Sequence, residues 1–373
     1  MNTDKNNDIQ CLRAVAILLV ITQHYRNRLP TPDSYQGLFG HFAFWSGVDI
    51  FFAISGFLIC HSFLRDVRRT DSRKEAMAMF WARRWGRLFP AVFFWSVASV
   101  CISVFTSSIP NADPAKIAVG AAAAIFGVSN AYWVHCVNHF GPTCGNADFN
   151  SVTWSLSLEW QMYALLTTLI CLTGRRWAVT LMLIGAGIMS AFPAPSFSVI
   201  WAFRMQAFAL GALTYILLQT DDALPVLRLR RLFSIALLFV GVLICISAPT
   251  HLSQPFVLPA IGIGGFICLL SGLSKSNFSR SPVASPLVWL GERSYSVYLC
   301  HLPMILFTRE VMARTTGLSV NFRNIVFGAV LAGSLVIICG ELSYRFIEVP
   351  FQRLVRERME RRRRSQGQAT LSV

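Results

Sequence analysis

Apolar runs broken by short polar clusters fill the chain from residue 9 to residue 346. Runs of the ~17–25 residues needed to cross a bilayer can be drawn at 9–28, 43–63, 88–108, 153–173, 177–195, 198–218, 232–249, 255–273, 290–310 and 325–346. An eleventh stretch, 116–134, is Ala-rich and ambiguous. The first run, IQCLRAVAILLVITQH, carries Arg13 and His24 inside otherwise continuous hydrocarbon. Eleven positions separate them, about three helical turns or roughly 16 Å, so both side chains fall on nearly one face. Ionisable groups in that setting cost several kcal/mol unless paired or hydrated, which makes them functional hypotheses.

Composition agrees with this pattern. The chain has 373 residues, is 54% hydrophobic and 14% charged, and has a mean hydropathy of +0.52, well away from a soluble domain. The expected fold is all-α, a polytopic membrane protein of about ten transmembrane helices with one re-entrant or interfacial segment. The start MNTDKNND is polar and mixed in charge, with no cleavage-site pattern, so Met1 is expected to be retained and the first run to act as an anchor.

Net charge is +15 and the isoelectric point about 9.9, which in a soluble chain would suggest nucleic acid. Here the arginines sit in blocks between apolar runs, at 65–87, 175–176, 228–231 and 353–364. That is the positive-inside pattern, and no nucleic-acid partner is expected. If 116–134 crossed the membrane, three of these blocks would fall outside. If it does not, ten spans remain, every block is cytoplasmic and both termini lie inside. The chain then divides into a transmembrane domain, 1–350, and a basic cytoplasmic tail, 351–373, suited to an anionic lipid surface.

Ten cysteines are scattered, mostly singly within apolar runs, and read as small buried hydrophobes. Cys136 and Cys144 are the exception, since they flank a polar loop, 135–152, placed outside the cytoplasm where a disulfide can persist. The two histidines and two cysteines of that loop fit no zinc spacing, and no metal is expected.

Five further stretches carry candidate chemistry. In GVDIFFAISGFLIC, Asp49 either caps the helix at the interface or orients an imidazole such as His24. In FWARRWGRLFP, Arg84 and Arg87 are adjacent on a helix with Arg83 beside them; such forks suit phosphates, whether of a lipid headgroup or of a soluble ligand. In TWSLSLEWQMY, Glu159 is a membrane carboxylate accompanied by Ser155, with Arg13, Arg204 or His24 as its possible partner. In LGERSYSVYLCHLPMI, His301 and Tyr298 lie about a turn apart, and the simpler reading is a histidine bonded to backbone. In ELSYRFIEVPFQR, Arg345 and Glu348 can pair at i, i+3.

Together, LRAVAILLVITQH, GVDIFFAISGFLI, RRWGRLFP, TWSLSLEWQMY, LGERSYSVYLCHLP and LSYRFIEVPF resemble the acyltransferase-3 family of bacterial membrane O-acyltransferases, in the family's order and from Leu12 to Phe351. The resemblance implies an enzyme of the bacterial cytoplasmic membrane that moves an acetyl group from acetyl-CoA, a cosubstrate with no permanently bound cofactor, to a hydroxyl of a surface or secreted carbohydrate. It implies that His24 and the arginines are essential and that Arg84 and Arg87 contact coenzyme A. The common Glu-Glu pair is here Glu159-Trp160, and no appended hydrolase-like domain is expected.

In the chemistry expected of such a chain, His24 is the general base or transient acyl carrier, and Glu159 orients it or the acceptor. Arg84 and Arg87, with Arg83 in reserve, hold coenzyme A phosphates, while Arg13 neutralises charge or polarises the thioester carbonyl. This scheme requires His24 to share a cavity with the arginines. A proton-coupled transporter or flippase is the competing reading, although no inverted repeat is evident.

Overall fold

The computed structural model describes residues 6–70, 72–109, 112–141, 144, 149–219, 224–274, 278–279 and 284–370, with side chains as far as 361. The extreme N-terminus, most of the 142–148 loop and the end of the tail lie outside these residues. Every regular element described is helical: α1 (Asn7–Tyr25), α2 (Asp33–Gly37), α3 (Gly47–Arg68), α4 (Arg73–Val104), α5 (Pro114–Ile125), α6 (Ser129–Phe140), α7 (Thr153–Thr173), α8 (Arg175–Met189), α9 (Val199–Ala202), α10 (Gln206–Leu218), α11 (Arg231–His251), α12 (Val257–Gly272), α13 (Ser285–Thr315), α14 (Phe322–Ser343) and α15 (Val349–Thr370). A π-turn, Tyr344–Glu348, joins the last two.

Five helical stretches, Phe44–Arg68, Arg73–Val104, Val199–Leu218, Arg231–His251 and Phe322–Arg361, are long and apolar enough to cross a membrane. The chain is an all-α polytopic membrane protein. The helices α1, α7 and α13 carry polar side chains within their runs and are not among the five. They are instead packed inside the bundle, α1 against α13, α3 and α12.

Two ends of the bundle can be told apart by their contacts. At the basic end the start of α1 is clamped: Asn6 caps it and donates to Gly272 O at 3.0 Å, while buried Asp8 accepts from Ser274 Oγ at 3.1 Å and from the Phe278 and Ser279 N–H groups. Arg73 donates to Cys171 O there, and Arg175 to Gln219 Oε1. At the far end Trp45 N–H donates to Gln23 Oε1, Ala43 N–H to Ile246 O, and Ala194 N–H to Gln254 Oε1. With α9 and α10 counted together, ten helical segments alternate between these ends among the described residues.

The segment at 116–134 is not one continuous helix. It belongs to α5 and α6, each of 12 residues and hence about 18 Å long, too short to cross alone. They are joined at Gly127, whose φ of +69° favours glycine. The tip is pinned to α7: Gln161 Nε2 donates to Gly127 O at 3.0 Å and pairs with Asn130, while Ser129 meets Ser157 and Thr153. Gln161 lies eight residues into α7, so the hairpin enters from the far end, goes down about 12 Å and returns. Two short helices and a turn thus occupy the segment that the sequence left ambiguous. The polar loop expected from 135 starts later, because residues through Phe140 are helical. Cys136 and Cys144 are joined by a disulfide.

Small residues set how closely the helices approach. A Cβ on Gly56 would overlap Phe208 O, and one on Gly211 would overlap Ala53 O, so α3 and α10 touch backbone to backbone. A Cβ on Gly291 would overlap Gln10 O in the same way, between α13 and α1. Gly211→Val is expected to cost about 2–3 kcal/mol through overpacking. Thermal unfolding in detergent checks this, with Gly333→Ala as control because a Cβ there meets nothing within 4 Å; equal melting temperatures for the two variants would contradict the close-approach account.

Candidate functional site

A cavity with about 710 Å³ of atom-free space lies between α1, α3, α4, α7 and α13. Arg13 from α1 and Arg84 and Arg87 from α4 line it, with Glu159 and Ser155 from α7 and Ser55 from α3. Three guanidiniums thus face one carboxylate. Arg84 and Arg87 point the same way because they are three apart on α4, one turn before Pro90. Arg13 faces inward while neighbouring Leu12 and Ala14 are buried in packing.

Partners are unequally distributed among the three cations. Arg87 Nε lies 3.6 Å from Glu348, a buried carboxylate at the end of the π-turn. Glu348 also accepts from Ser296 Oγ at 3.0 Å and Gln352 Nε2 at 3.1 Å. Arg84 lies 5.8 Å from the ring centroids of both Phe80 and Tyr163. Among the described residues Arg13 has no ion pair within 4.0 Å. Glu159 Oε1 accepts from the hydroxyls of Ser55 and Tyr163, and among the described residues Glu159 makes no ion pair with an arginine and no hydrogen bond with His24. The cavity therefore carries a net positive field inside the bundle.

Arg84 and Arg87 also line a second, polar cleft at the basic end, about 640 Å³, shared with Ser62, Arg65, Arg83, Gln352 and Arg356. Because both arginines belong to both spaces, the inner cavity and the outer cleft meet at them. Arg83 lies in this outer cleft, bound to Asp66, and not in the inner cavity.

His24 is placed differently from the sequence expectation that it shares the arginine cavity. It does not line that cavity; one layer of side chains intervenes. Its Nδ1 lies 3.1 Å from His301 Nε2, and His301 Nδ1 lies 2.7 Å from Tyr298 O. Tyr298 in turn lines the cavity, its hydroxyl 2.6 Å from Ser155 Oγ and 2.9 Å from Val152 O. A carbonyl only accepts, so His301 Nδ1 carries a proton. With both rings neutral, His301 Nε2 accepts from His24 Nδ1–H. That leaves the lone pair of His24 on Nε2. With both rings neutral, the pair thus sets the tautomer of each ring.

Beyond His24 the chain folds back over α1 at the far end. Tyr35 on α2 donates to Thr22 O at 2.5 Å. Burial, with the Tyr25 hydroxyl nearby, pushes this phenol up to about 12, so it remains a donor. Arg28 donates to His24 O at 2.8 Å, and Arg309 to Arg28 O at 2.8 Å.

Asp49 is turned away from both spaces. Arg204 grips it with two bonds, Nε to Oδ1 at 3.1 Å and a second nitrogen to Oδ2 at 3.0 Å, and also donates to Trp201 O. The guanidinium lies 4.7–5.1 Å from the centroids of Trp154, Trp201 and Trp45. Asp49 is therefore held in an architectural ion pair between α3 and the α9–α10 break, and Arg204 serves it rather than Glu159.

Sequence spacing paired Glu348 with Arg345; the structure does not. The π-turn adds a residue to one helical turn and rotates the helix beyond it. Arg345 turns to Glu341, and Glu348 turns inward to Arg87. His301 does bond to backbone as read, but its second nitrogen meets His24, 277 positions away, which no local spacing reveals. Arg356 belongs by sequence to the tail, whereas α15 folds back on α4 and brings it to the outer cleft.

Similarity to known proteins narrows the reaction class. The chain is 30% identical over 371 residues to "Peptidoglycan O-acetyltransferase OatA" of Listeria monocytogenes, covering 92% of this chain and 55% of that protein. It is 28% identical over 371 residues to "O-acetyltransferase OatA" of Staphylococcus aureus, covering 92% of this chain and 56% of that protein. The chain thus spans a little over half the length of these relatives. No solved structure matches it. The family model described as "Acyltransferase domain" matches residues 6–340, and over that nearly complete extent the chain belongs to the acyltransferase-3 family.

Proposed function

We propose that this protein is an O-acetyltransferase of the bacterial cytoplasmic membrane, with both termini inside, which transfers the acetyl group of acetyl-CoA to a hydroxyl of a surface or secreted carbohydrate. The observation that carries the reading is a continuous arginine-lined path, from the basic cleft through Arg84 and Arg87 into a buried cavity whose far wall leads to the His301–His24 pair. The O-acetyltransferase names of the relatives support the reaction class. The arginine blocks at the cleft end support a cytosolic entrance.

In this reading Arg65, Arg83, Arg84, Arg87 and Arg356 bind the phosphates of coenzyme A as charge-assisted forks. The acetyl-bearing end enters the inner cavity, where Arg13 faces the thioester carbonyl and stabilises the charge that develops on its oxygen. Ser155 and Tyr298 close the top of the cavity. The acceptor arrives from the far end, and His24 Nε2 takes the proton of its hydroxyl. The oxygen attacks the thioester carbon, the C–S bond breaks, and coenzyme A leaves as thiol with the proton that His24 collected. His24 and the thioester lie on opposite sides of the Tyr298 layer, so transfer requires that ring to swing aside.

Mass spectrometry of surface glycans with and without the gene tests the function, the expected result being an acetyl-sized loss. With purified protein in vesicles and radiolabelled acetyl-CoA, His24→Ala should lower the rate of transfer by about 10²–10⁴-fold with acetyl-CoA binding intact. Unimpaired transfer in that variant would remove the base assignment. Arg84→Ala and Arg87→Ala should each raise the KM for acetyl-CoA by about 10- to 100-fold, the worth of one charged hydrogen bond, with kcat less affected. Glu348→Gln should raise the same KM several-fold, while Arg345→Gln, on the other side of the π-turn, should leave it unchanged. A kcat defect with unchanged KM would show that Glu348 does not position Arg87.

A further inference from the structure

The scheme above leaves one group of the inner cavity without a task. Glu159 is the carboxylate that lines it, yet among the described residues it pairs with no arginine and does not bond to His24. What it holds is the hydroxyl of Ser55, on the facing helix α3. The other hydroxyls of the cavity are placed differently. Ser155 is bonded to Val152 O and the Tyr298 hydroxyl, and Ser294 Oγ is buried without a hydrogen-bond partner among the described residues. Tyr295 and Tyr298 donate to Leu88 O and Val152 O. Ser55 and Tyr163 are the two that meet a carboxylate. Of these, Tyr163 is only 3% exposed, its ring packed on Phe80 and Phe208, whereas Ser55 stands half-buried at the cavity wall. A primary hydroxyl donating to a carboxylate that no cation neutralises is the arrangement of a nucleophile and its base.

Its position agrees. Glu159 lies four residues beyond Ser155 on α7, one turn or about 6 Å toward the basic end. The Ser55 and Glu159 pair therefore sits on the arginine side of the layer formed by Tyr298 and Ser155, with Arg13, Arg84 and Arg87 lining the same space. Ser55 is also held firmly, because the next residue, Gly56, packs against Phe208 O with no room for a Cβ. His24 is behind the layer. Within the closed cavity, Ser55 is the nucleophile that an entering thioester meets.

We propose that Ser55 is a catalytic residue, the transient carrier of the acetyl group, with Glu159 as its base. The inference rests on the acetyltransferase reading and divides its reaction into two halves. In the first, the Ser55 proton passes to Glu159 while Oγ bonds to the thioester carbon. The C–S bond breaks, and coenzyme A leaves past the arginines as thiolate, taking a proton from water in the cytosol. Arg13 stabilises the charge that gathers on the carbonyl oxygen. In the second half, with the Tyr298 ring swung aside, the acceptor hydroxyl gives its proton to His24 and attacks the acetyl carbon on Ser55 in place of the thioester. The bond to Oγ breaks, Glu159 returns its proton to Oγ, and His24 releases the acceptor's proton to water at the far end. The first half needs no acceptor.

That independence supplies the test. The full chain in nanodiscs is given acetyl-CoA and isotopically labelled free coenzyme A without acceptor; an acetyl-enzyme moves the label into acetyl-CoA, and direct transfer does not. The native chain should exchange. Ser55→Ala should lower the exchange rate by about 10³-fold or more and Glu159→Gln by about 10²–10⁴-fold, each with acetyl-CoA binding retained by calorimetry. His24→Ala, defective in transfer, should still exchange and should accumulate an acetyl group on Ser55, located by peptide mass spectrometry. Absence of exchange in a native chain that acetylates its acceptor, or undiminished exchange in Ser55→Ala, would overturn the proposal and leave direct transfer. Should Ser55→Ala not fold, the label in His24→Ala decides: on Ser55 it supports the proposal, and on another residue or on none it overturns it. A native chain that neither exchanges nor acetylates a glycan fails the acetyltransferase reading itself.

Discussion

A guanidinium in hydrocarbon must be matched by a carboxylate, by aromatic faces and carbonyls, or by space for water and ligand. The bundle uses these solutions at different points, and the difference separates scaffold from site. Arg204 has the first two in full: both oxygens of Asp49, a carbonyl and a set of tryptophan faces. It is closed, buried and without room for a ligand. Arg13, Arg84 and Arg87 have only fragments of those solutions and border open space instead. A protein that keeps three cations around a cavity with one lining carboxylate retains a strong attraction for an anion. It must also give up the stability that pairing them would supply.

The arrangement of helices depends on that constraint. Helices α1, α4, α7 and α13 carry the polar side chains, so they cannot all face lipid. Others with more uniformly apolar faces, α11 and α14 among them, take the outside, with only 22% of their apolar windows buried, against 83% for α3 at the centre. Contact at the centre is made by backbone on backbone, through Gly56 and Gly211 between α3 and α10 and Gly291 between α13 and α1. In a membrane, where burying apolar area gives little drive for helix association, such close approach is a main source of cohesion.

Much of this was legible in the sequence because hydropathy and charge blocks are local signals. The ten runs correspond to ten helical segments among the described residues, and the ambiguous 116–134 falls on the two short helices α5 and α6. Arg13, Arg84, Arg87, Glu159 and Ser155 stand out one at a time as polar residues in apolar runs, and they line one cavity. Which polar residues meet across the fold could not be read. Asp49 and Arg204 are 155 positions apart, and His24 and His301 are 277 apart. The π-turn at 344–348 also defeats spacing, because the i, i+3 argument for Arg345 and Glu348 assumes 3.6 residues per turn and fails where a turn holds more.

If the cavity receives a thioester and His24 acts as the base, as proposed above, the layer between them has a physical purpose. A thioester and a base in one open cavity would admit water beside both, and water would compete with the sugar hydroxyl. With Tyr298 tied to Ser155 Oγ and Val152 O, and His301 tied to the carbonyl of the same tyrosine, the wall is held by hydrogen bonds at both of its faces. Moving the ring breaks two of them, each worth about 1 kcal/mol net, a modest barrier that acceptor binding on the His24 side can offset. Closure in the absence of acceptor would then protect the thioester from hydrolysis. In the proposed reaction, the bonds that keep His24 out of the cavity would make its access conditional on a second substrate.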